Sequence, residues 1–245
     1  MRCQPCNKSS VYICSNNNHT CLLCDEPAGQ THPVCVPCES ELPWLDEHCR
    51  ICALPLPING LLCAQCARRR PAFRQVEAPW HYGFPIDSLI TRFKHQRQWP
   101  LGRLLASMLG NWLSHRFDEG LPRPALLLPV PMASRRLRQR GYNQAAMLGE
   151  WLAAQLAIPC ASDLLSRPRD TPAQQALDAR ARRRNLKNAF ALADPAAIEG
   201  RHVALVDDVL TTGATAQALA RLLRDGGAAR VDVYCLARTP RPGNA

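Results

Sequence analysis

The sequence "VALVDDVLTTGAT", Val203–Thr215, is the most informative stretch for the fold of the larger part of this chain. Its first residues form an apolar run typical of a buried parallel strand, and the run ends in two adjacent acids, Asp207 and Asp208. Neighbouring carboxylates repel each other, so their placement favours contact with a ligand over stability. The Thr-Thr-Gly-Ala-Thr that follows predicts a tight turn into a helix. We therefore expect a ligand site at the end of this strand.

Helical and strand patterns alternate along residues 86–240. Apolar residues at spacings of three and four predict helices, and short continuous apolar runs predict buried strands. The predicted helices cover residues 86–96, 101–117, 143–156 and 214–225, and the predicted strands cover residues 125–131, 202–209 and 230–237. This alternation indicates a doubly wound parallel α/β sheet, in which ligands bind at the carboxyl ends of the strands. The two acids are expected at such an end.

The turn after the two acids has the composition of a phosphate site. Gly213 lets the backbone turn tightly, and the hydroxyls of Thr211, Thr212 and Thr215 converge with the amides of a helix N-terminus. An anion held in this way needs no lysine. The loop accordingly differs from a Walker A sequence, which ends in Gly-Lys-Ser or Gly-Lys-Thr.

Two other interpretations of the acidic pair are weaker. Receiver domains of response regulators also carry adjacent acids after a strand, but near the start of the domain, and only 37 residues follow Asp208 here. A plain turn with Thr212 as an N-cap leaves the two repelling carboxylates unexplained. A ligand site is the prediction that accounts for both acids.

Eleven of the thirteen cysteines precede residue 67, and eight of them form an internal repeat. The pattern Cys-x2-Cys-x10-Cys-x2-Cys occurs twice, with an offset of 28 residues at each of its four positions. The eight cysteines are Cys21, Cys24, Cys35, Cys38, Cys49, Cys52, Cys63 and Cys66. Two such knuckles complete the closed tetrahedral shell of structural zinc. A disulfide framework is the alternative, and it is typical of secreted chains.

The spacing leaves the pairing of the zinc ligands open. Each repeat closes on its own ion, or knuckles from both repeats share one, and the tandem arrangement is the simpler prediction. Cys3, Cys6 and Cys14 fit neither repeat, so their role stays open. The expected organisation is an extension over residues 1–20, a double zinc-ribbon-like module over 21–70, a proline-containing linker over 71–85 and the α/β domain over 86–240.

The formal net charge of +10 lies entirely in the second part of the chain. Residues 1–80 hold seven Lys and Arg against seven Asp and Glu, whereas residues 81–245 hold 23 against 13. This excess favours anionic partners such as phosphates or nucleic acid, although a plain basic surface explains it equally well. The N-terminal residues lack the apolar core of a signal peptide, and no apolar run could cross a bilayer. We expect a cytoplasmic protein without membrane insertion.

The stretch Val203–Thr215 resembles the signature of type I phosphoribosyltransferases that binds 5-phosphoribosyl-1-pyrophosphate (PRPP). More of the chain resembles one branch, the ComF family of competence-associated, amidophosphoribosyltransferase-like proteins. This branch carries Pro-Val-Pro and Arg-Gly-aromatic-Asn-Gln elements, here within "PVPMASRRLRQRGYNQAAMLG", residues 129–149, and a Cys-knuckle module before the enzyme-like domain. The resemblance covers residues 21–240 and departs at the first twenty residues.

The resemblance implies roles for individual residues. Asp207 and Asp208 would accept hydrogen bonds from the ribose hydroxyls and stabilise the positive charge that develops on the ring. The 5-phosphate would lie in the loop after them, and pyrophosphate with Mg²⁺ would meet the turn after residue 129. The implied PRPP-binding residues are Val206, Val209, Leu210, Thr211, Thr212, Gly213, Ala214, Thr215, Val130, Pro131, Arg140 and Arg184.

Two arginine clusters lie in the basic part of the chain, one over residues 135–140 and one over residues 180–184. Solvated loop charge is the default interpretation of both clusters, although pyrophosphate and single-stranded DNA also favour guanidinium groups. The second cluster falls in residues 167–187, where the resemblance implies a mobile loop that closes over PRPP.

Two functional hypotheses follow from these observations. The first is an enzyme, a Mg²⁺-dependent phosphoribosyltransferase that acts on an acceptor the sequence does not identify, or that hydrolyses PRPP. The second is a competence factor in DNA uptake that senses PRPP or binds single-stranded DNA without transfer. Other DNA-uptake proteins are further possible partners under either hypothesis.

Overall fold

A computed structural model describes residues 19–30, 32–58, 60–168 and 189–240, and the backbone of residues 5–6 and 11–12. The chain divides into two compact units, Met1–Leu42 and Pro43–Ala245. The first unit contains strands β1 (Pro5–Cys6) and β2 (Val11–Tyr12), which pair antiparallel, and helix α1 (Val36–Ser40). It holds the first cysteine repeat.

The second unit holds the second cysteine repeat and all of the α/β domain. Its helices are α2 (Ala64–Arg68), α3 (Ile86–Gln96), α4 (Trp99–Asp118), α5 (Ser134–Arg140), α6 (Gln144–Leu156) and α7 (Ala214–Asp225). Its strands are β3 (Val76–Glu77), β4 (Trp80–His81), β5 (Leu126–Pro129), β6 (Leu165–Ser166), β7 (Ala191–Leu192), β8 (His202–Leu210) and β9 (Arg230–Arg238).

The main sheet has the strand order β3-β9-β8-β5, and β4 also pairs with β9. All of these pairings are parallel, and Pro129 of β5 lies beside Val206 of β8. The carboxyl ends of β5 and β8 therefore meet at one edge of the sheet. The predicted parallel α/β architecture with an N-terminal Cys-rich module is confirmed.

Helices cover both faces of the sheet. Successive strand residues point to opposite faces, so neighbouring side chains of one strand meet different helices. Val203 and Leu205 on one face pack in a buried cluster with Leu219 of α7. On the other face, the ring of Tyr234 lies 6.4 Å from the ring of Phe117 in α4, centroid to centroid. The two acids of β8 consequently face different layers.

The second cysteine repeat packs into the same buried cluster as the sheet and α7. Cys49, Cys63 and Cys66 are at most 4% exposed and belong to this cluster. The boundary between the two compact units falls after Leu42. The predicted limits of the zinc module, the linker and the α/β domain over residues 86–240 stay predictions. Shared apolar burial places the second repeat within the larger unit.

The predicted linker over residues 71–85 contains two short strands, β3 and β4, which both pair with β9. Strands of two residues have too few side chains to show a periodic pattern, so no pattern in the sequence predicts them. Helix α5 covers the first arginine cluster, for which solvated loop charge was the default expectation. Within the described ranges, no helix combines the length and the apolar character needed to cross a bilayer.

Candidate functional site

Each cysteine repeat forms its own four-thiol cluster. One cluster joins Cys21, Cys24, Cys35 and Cys38, and the other joins Cys49, Cys52, Cys63 and Cys66, with all Sγ atoms of a cluster within 4.8 Å of one another. The arrangement is tandem. None of the ten cysteines in the described part of the chain forms a disulfide.

The geometry of both clusters fits zinc. The Sγ atoms of Cys24 and Cys35 lie 3.6 Å apart, as do those of Cys52 and Cys63. A tetrahedral site with Zn–S bonds of about 2.3 Å separates its sulfur atoms by about 3.8 Å. The backbone amide of Cys63 also donates to the Sγ of Cys49 over 3.3 Å, a contact that stabilises a thiolate. Four sulfur ligands close the coordination shell, so both sites are suited to structural metal.

The acidic pair lies near the carboxyl end of β8, as the sequence predicts. Asp208 is 4% exposed, and its Oδ1 accepts a hydrogen bond of 2.6 Å from the amide of Val209. The Oδ1 of Asp207 accepts one of 2.9 Å from the amide of Asp208. Each carboxylate is thus oriented by the backbone of the residue that follows it.

Lys94 of α3 supplies the counter-charge for Asp208. Its Nζ lies 2.9 Å from the Oδ2 of Asp208, and the lysine side chain is 19% exposed. Asp207 has no such direct partner among the described residues. Burial, together with the charge of Asp208, raises the pKa of Asp207 to about 8, against the lowering effects of the Asp208 amide and Lys94. The site therefore holds one ion-paired carboxylate and one that takes up a proton readily.

The loop after β8 has the shape expected of an anion cradle. Thr211 and Thr212 are exposed, and Gly213 has φ +74° and directly precedes α7. The amide of Ala214 donates to the Oγ1 of Thr212 over 3.3 Å. The other amides at the start of a helix have no intrahelical acceptor, so they remain free to bind an anion.

The loop after β5 is fixed to both neighbouring elements. The amide of Val130 donates to the oxygen of Val206 over 2.9 Å, which extends the pairing of the two strands. The oxygen of Val130 accepts a hydrogen bond of 3.1 Å from the Nδ2 of Asn143, whose Oδ1 caps α6 through the amide of Ala145. Asn143 therefore ties the loop to the start of α6.

A cationic cleft of about 480 Å³ opens beside the acidic pair, between the end of α3 and α5. It is lined by Lys94, His95, Arg97, Arg136, Gln139 and Arg140. Lys94 belongs to this cleft and to the Asp208 ion pair, so cleft and acidic pair are contiguous. Arg140 donates to the Oε1 of Gln144 at the start of α6. Tyr142 packs between Phe93 and Trp99, with ring centroids 5.9 and 6.2 Å away.

Arg238 connects the end of β8 to the second cysteine repeat. Its side chain is buried, and its Nη1 donates to the oxygens of Leu210 and Thr211 over 2.9 and 2.5 Å. Its Nε donates to the oxygen of Cys52 over 2.9 Å. A single guanidinium thus contacts both the end of β8 and the Cys49–Cys52 knuckle of the second repeat.

Two family models match the chain, a phosphoribosyl transferase domain over residues 143–243 and a double zinc ribbon domain over residues 18–67. The DNA utilization protein YhgH of Salmonella typhi is 37% identical over 221 residues, which span 89% of this chain and 96% of that protein. Competence protein F of Haemophilus influenzae is 35% identical over 241 residues, which span 97% and 96%. The chain belongs to the ComF family. Among solved structures, glutamine PRPP amidotransferase of B. subtilis aligns with 55% of this chain and 25% of its own, at 22% identity and a TM-score of 0.36.

This member of the ComF family brings most of the sequence-predicted PRPP residues to one edge of the sheet. Those from β8 to α7 form one continuous stretch, and Val130, Pro131 and Arg140 follow the neighbouring strand β5. Arg184 lies outside the described residues, with the rest of the second arginine cluster. The roles assigned to these residues in PRPP binding stay predictions.

Sequence reasoning missed Lys94 and Arg238 altogether and gave Asn143 no role. Lys94 is one of several basic residues at the end of an amphipathic helix, so its type and position carry no signal of their own. Arg238 is the last residue of β9, a strand that is buried along nearly its whole length. A charge at the end of such an apolar run is the one signal that could have marked it, because unpaired charges are costly to bury.

Proposed function

We propose that this protein binds PRPP with Mg²⁺ at the edge where the loops after β5 and β8 meet. One observation carries the proposal: the acidic pair stands between an anion cradle at residues 211–213 and the cationic cleft that contains Lys94. PRPP has a phosphate at one end, a diphosphate at the other and a ribose with two hydroxyls between them. The order of charges along the site matches this order of groups.

In this proposal the ribose lies over Asp207 and Asp208. The carboxylates accept hydrogen bonds from the ribose hydroxyls, which requires Asp207 to give up the proton that its raised pKa favours. The 5-phosphate lies on the amides and hydroxyls of residues 211–215, at the positive end of α7. The pyrophosphate lies along residues 130–131, with Arg136 and Arg140 of the cleft as its guanidinium partners.

Lys94 changes partners in this scheme. In the free protein it neutralises the buried Asp208. A pyrophosphate in the adjoining cleft offers the lysine a stronger anionic partner, and a ribose hydroxyl then takes its place at Asp208. Lys94 would therefore link occupation of the cleft to release of the carboxylate.

Magnesium fits the donor set of this site. Mg²⁺ prefers oxygen ligands and keeps several waters, and the oxygens of PRPP and the two carboxylates are the groups of that kind here. We propose that PRPP supplies most of the ligands. The bound ion would neutralise negative charge on the pyrophosphate leaving group.

The proposed reaction is phosphoribosyl transfer. The bond between C1 of the ribose and the pyrophosphate oxygen breaks, pyrophosphate leaves with the bonding electrons, and a nucleophile of the acceptor forms a new bond to C1. The carboxylates of the acidic pair stabilise the positive charge that the ring carries between these events. Water in place of the acceptor gives hydrolysis of PRPP.

A second candidate is a protein that binds PRPP as a signal in DNA uptake and transfers nothing. The relatives named for DNA utilization and competence favour this alternative. It places the protein in the cytoplasm, with DNA and other DNA-uptake proteins as partners. Single-stranded DNA stays a predicted partner of the first arginine cluster, residues 135–140, and the position of Arg136 in the cleft beside Lys94 favours pyrophosphate for that residue.

Calorimetric titration with PRPP and Mg²⁺ tests the proposed site. We expect replacement of both Asp207 and Asp208 by Asn to lower PRPP affinity at least about tenfold, which is about 1.4 kcal/mol. Replacement of the exposed Asp118 and Asp163 by Asn is the matched control, since it changes the net charge equally. Unchanged affinity in a folded D207N/D208N variant would show that PRPP does not bind here. Pyrophosphate release over a panel of acceptors separates transfer from sensing.

A further inference from the structure

A second cleft, of about 610 Å³, lies at the opposite end of the sheet from the acidic pair. Residues 70–74, the last turns of α7 and the first residues of β9 form its walls. Five of its lining side chains are arginines, and the one acid is Asp225; the arginines are Arg70, Arg74, Arg221, Arg224 and Arg230. Nothing in the proposed PRPP chemistry uses this cleft.

Two of the five arginines form a fixed back wall. The Nε of Arg230 donates to both carboxylate oxygens of Asp232, over 3.1 and 3.0 Å, and its Nη2 donates to the Oε1 of Gln75 over 3.0 Å. Asp232 is fully buried and also lies 2.9 Å from the Nε2 of His202. Arg224 donates to the backbone oxygens that follow α7. These two guanidinium groups are therefore held in place by the protein.

The other three arginines are available to a ligand. Arg70, Arg74 and Arg221 are exposed, and their side chains make no hydrogen bond or ion pair within the described part of the chain. Arg68 and Arg69 precede them and are exposed as well. Intramolecular pairing, which accounts for Arg224 and Arg230, does not account for these residues.

The backbone beneath the exposed arginines is firmly attached. The amide of Ala72 donates to the Oε1 of Gln217 in α7 over 2.9 Å, and the amide of Arg74 donates to the oxygen of Val231 over 2.7 Å. The amide of Val233 donates in turn to the oxygen of Gln75 over 3.0 Å. The segment that carries Arg70 and Arg74 thus has a defined position beside α7 and β9.

The cleft is well separated from the acidic pair. Arg230 pairs with His202 at the start of β8, and Asp208 lies six residues farther along that strand. At about 3.3 Å per residue the two sites are roughly 20 Å apart. A ligand in the arginine cleft can therefore bind without competing with a ligand at residues 207–215.

The chemistry of the cleft favours a chain of phosphates over a single small anion. The helix end that it meets is the C-terminus of α7, whose partial negative charge disfavours one compact anion. Several exposed guanidinium groups instead suit an extended ligand whose charges are spread along it. Phe73 is 5% exposed, so no aromatic surface is offered to a base. Duplex DNA is stiff over distances much longer than this cleft, so a flexible single strand can follow its concave walls more closely.

From these observations we propose that the arginine cleft binds the phosphodiester backbone of a single-stranded nucleic acid, without regard to its sequence. Arg70, Arg74 and Arg221 contact the phosphates, and Arg224 and Arg230, which the protein holds in place, form the back wall of the cleft. This site is independent of PRPP binding, and it would hold even if residues 207–215 bound nothing.

Fluorescence anisotropy with a labelled oligothymidylate measures this binding as a function of salt. The test variant replaces Arg70, Arg74 and Arg221 by Ala, and the matched comparison replaces Arg135, Arg136 and Arg138, which are also three exposed arginines. A single strand contributes a slope of about −0.7 in log affinity against log salt for each phosphate contacted. We expect the cleft variant to bind at least about tenfold more weakly and to lose about two units of slope.

Several outcomes would overturn the proposal. The cleft would not be the binding site if the oligothymidylate failed to bind at low salt. The same would follow if the cleft variant kept the affinity and salt slope of the wild type. Loss of binding in the 135/136/138 variant alone would move the contact to α5. Equal or tighter binding of a duplex would contradict the preference for a single strand, and equal binding of polyglutamate would contradict recognition of phosphates. The melting temperature of each variant serves as the control for folding.

Discussion

Arg238 donates a hydrogen bond of 2.9 Å from its Nε to the backbone oxygen of Cys52. The same buried guanidinium donates to the oxygens of Leu210 and Thr211, where β8 passes into the loop that we propose for the 5-phosphate. The Cys49–Cys52 knuckle of the second repeat and this loop are therefore held by one side chain. Loss of the knuckle should disturb the loop directly.

We predict that Cys52→Ser lowers PRPP affinity by at least about threefold, together with the loss of one zinc ion. The variant keeps the backbone oxygen of residue 52, but without the metal this oxygen is no longer held in position for Arg238. Native mass spectrometry counts the ions, with two expected for the wild type and one for the variant. Calorimetry then measures PRPP binding.

Cys24→Ser is the matched control for this prediction. It removes the equivalent ligand of the first repeat, 28 residues earlier, and should also lose one zinc ion. No hydrogen bond links that repeat to Arg238 in the described residues, so PRPP affinity should not change. Equal losses of affinity in the two variants would contradict a specific role of the Cys52 contact.

The ion pair between Lys94 and Asp208 predicts a coupling between these residues in stability. Lys94→Ala leaves a carboxylate that is 4% exposed without its counter-charge, and we expect a loss of about 2 kcal/mol in the free energy of unfolding. Asp208→Asn should recover part of this loss in the double variant, since the amide needs no counter-charge. Urea unfolding of the two single variants and the double variant measures the coupling.

Arg92→Ala provides the control on the same helix, because the side chain of Arg92 is exposed and makes no hydrogen bond or ion pair in the described part of the chain. Its effect should lie within about 0.5 kcal/mol. Strictly additive effects of Lys94→Ala and Asp208→Asn would show that the ion pair does not contribute to stability.

The raised pKa of Asp207 predicts how stability depends on pH. The folded protein holds the proton of Asp207 up to a pKa of about 8, whereas an unfolded chain releases it near 3.8. The contribution of Asp207 to the stability of the fold is therefore fully present below pH 3.8 and is lost as the pH rises to about 8. Asp207→Asn removes the titrating group. Its melting temperature should exceed that of the wild type by more at about pH 8.5 than at about pH 5, with a difference of about 2 °C or more.

Asp163→Asn is the reference for this comparison, since Asp163 is exposed. Its melting temperature should follow that of the wild type across the same pH range. If the melting temperature of D207N also followed that of the wild type, Asp207 would be ionised in the folded protein at neutral pH.

The left-handed conformation of Gly213 predicts a specific effect of a methyl group. Gly213 has φ +74°, and an added Cβ would meet no heavy atom within 4 Å. Gly213→Ala should therefore cost about 1–2 kcal/mol of stability through the backbone alone, and the shifted loop should bind PRPP at least about fivefold more weakly. Differential scanning calorimetry and PRPP titration measure the two effects.

Gly200→Ala separates these effects, because Gly200 has φ +67° and equally open surroundings. It should show a similar loss of stability with unchanged PRPP affinity. An unchanged affinity in Gly213→Ala as well would mean that the loop after β8 does not bind the phosphate.

The alternation of helices and strands, the position of the acidic pair and the two cysteine repeats could all be predicted from the sequence. These features are local, because hydrophobic spacing, a glycine turn and Cys-x2-Cys knuckles act over a few neighbouring residues. The end of β8 and the start of α7 were therefore predicted closely, and so was the family, whose signature is a continuous stretch of the chain.

The distant residues that complete the site are visible only in the folded protein. Lys94 reaches Asp208 across 114 positions of the chain, and Arg238 joins Cys52 to Thr211, because layers of the fold bring them together. Strands β3 and β4 exist through pairing with β9, and the second cysteine repeat belongs to the larger unit through shared apolar burial. None of these contacts has a periodic or local signal, since each depends on the packing of elements that are far apart in the sequence.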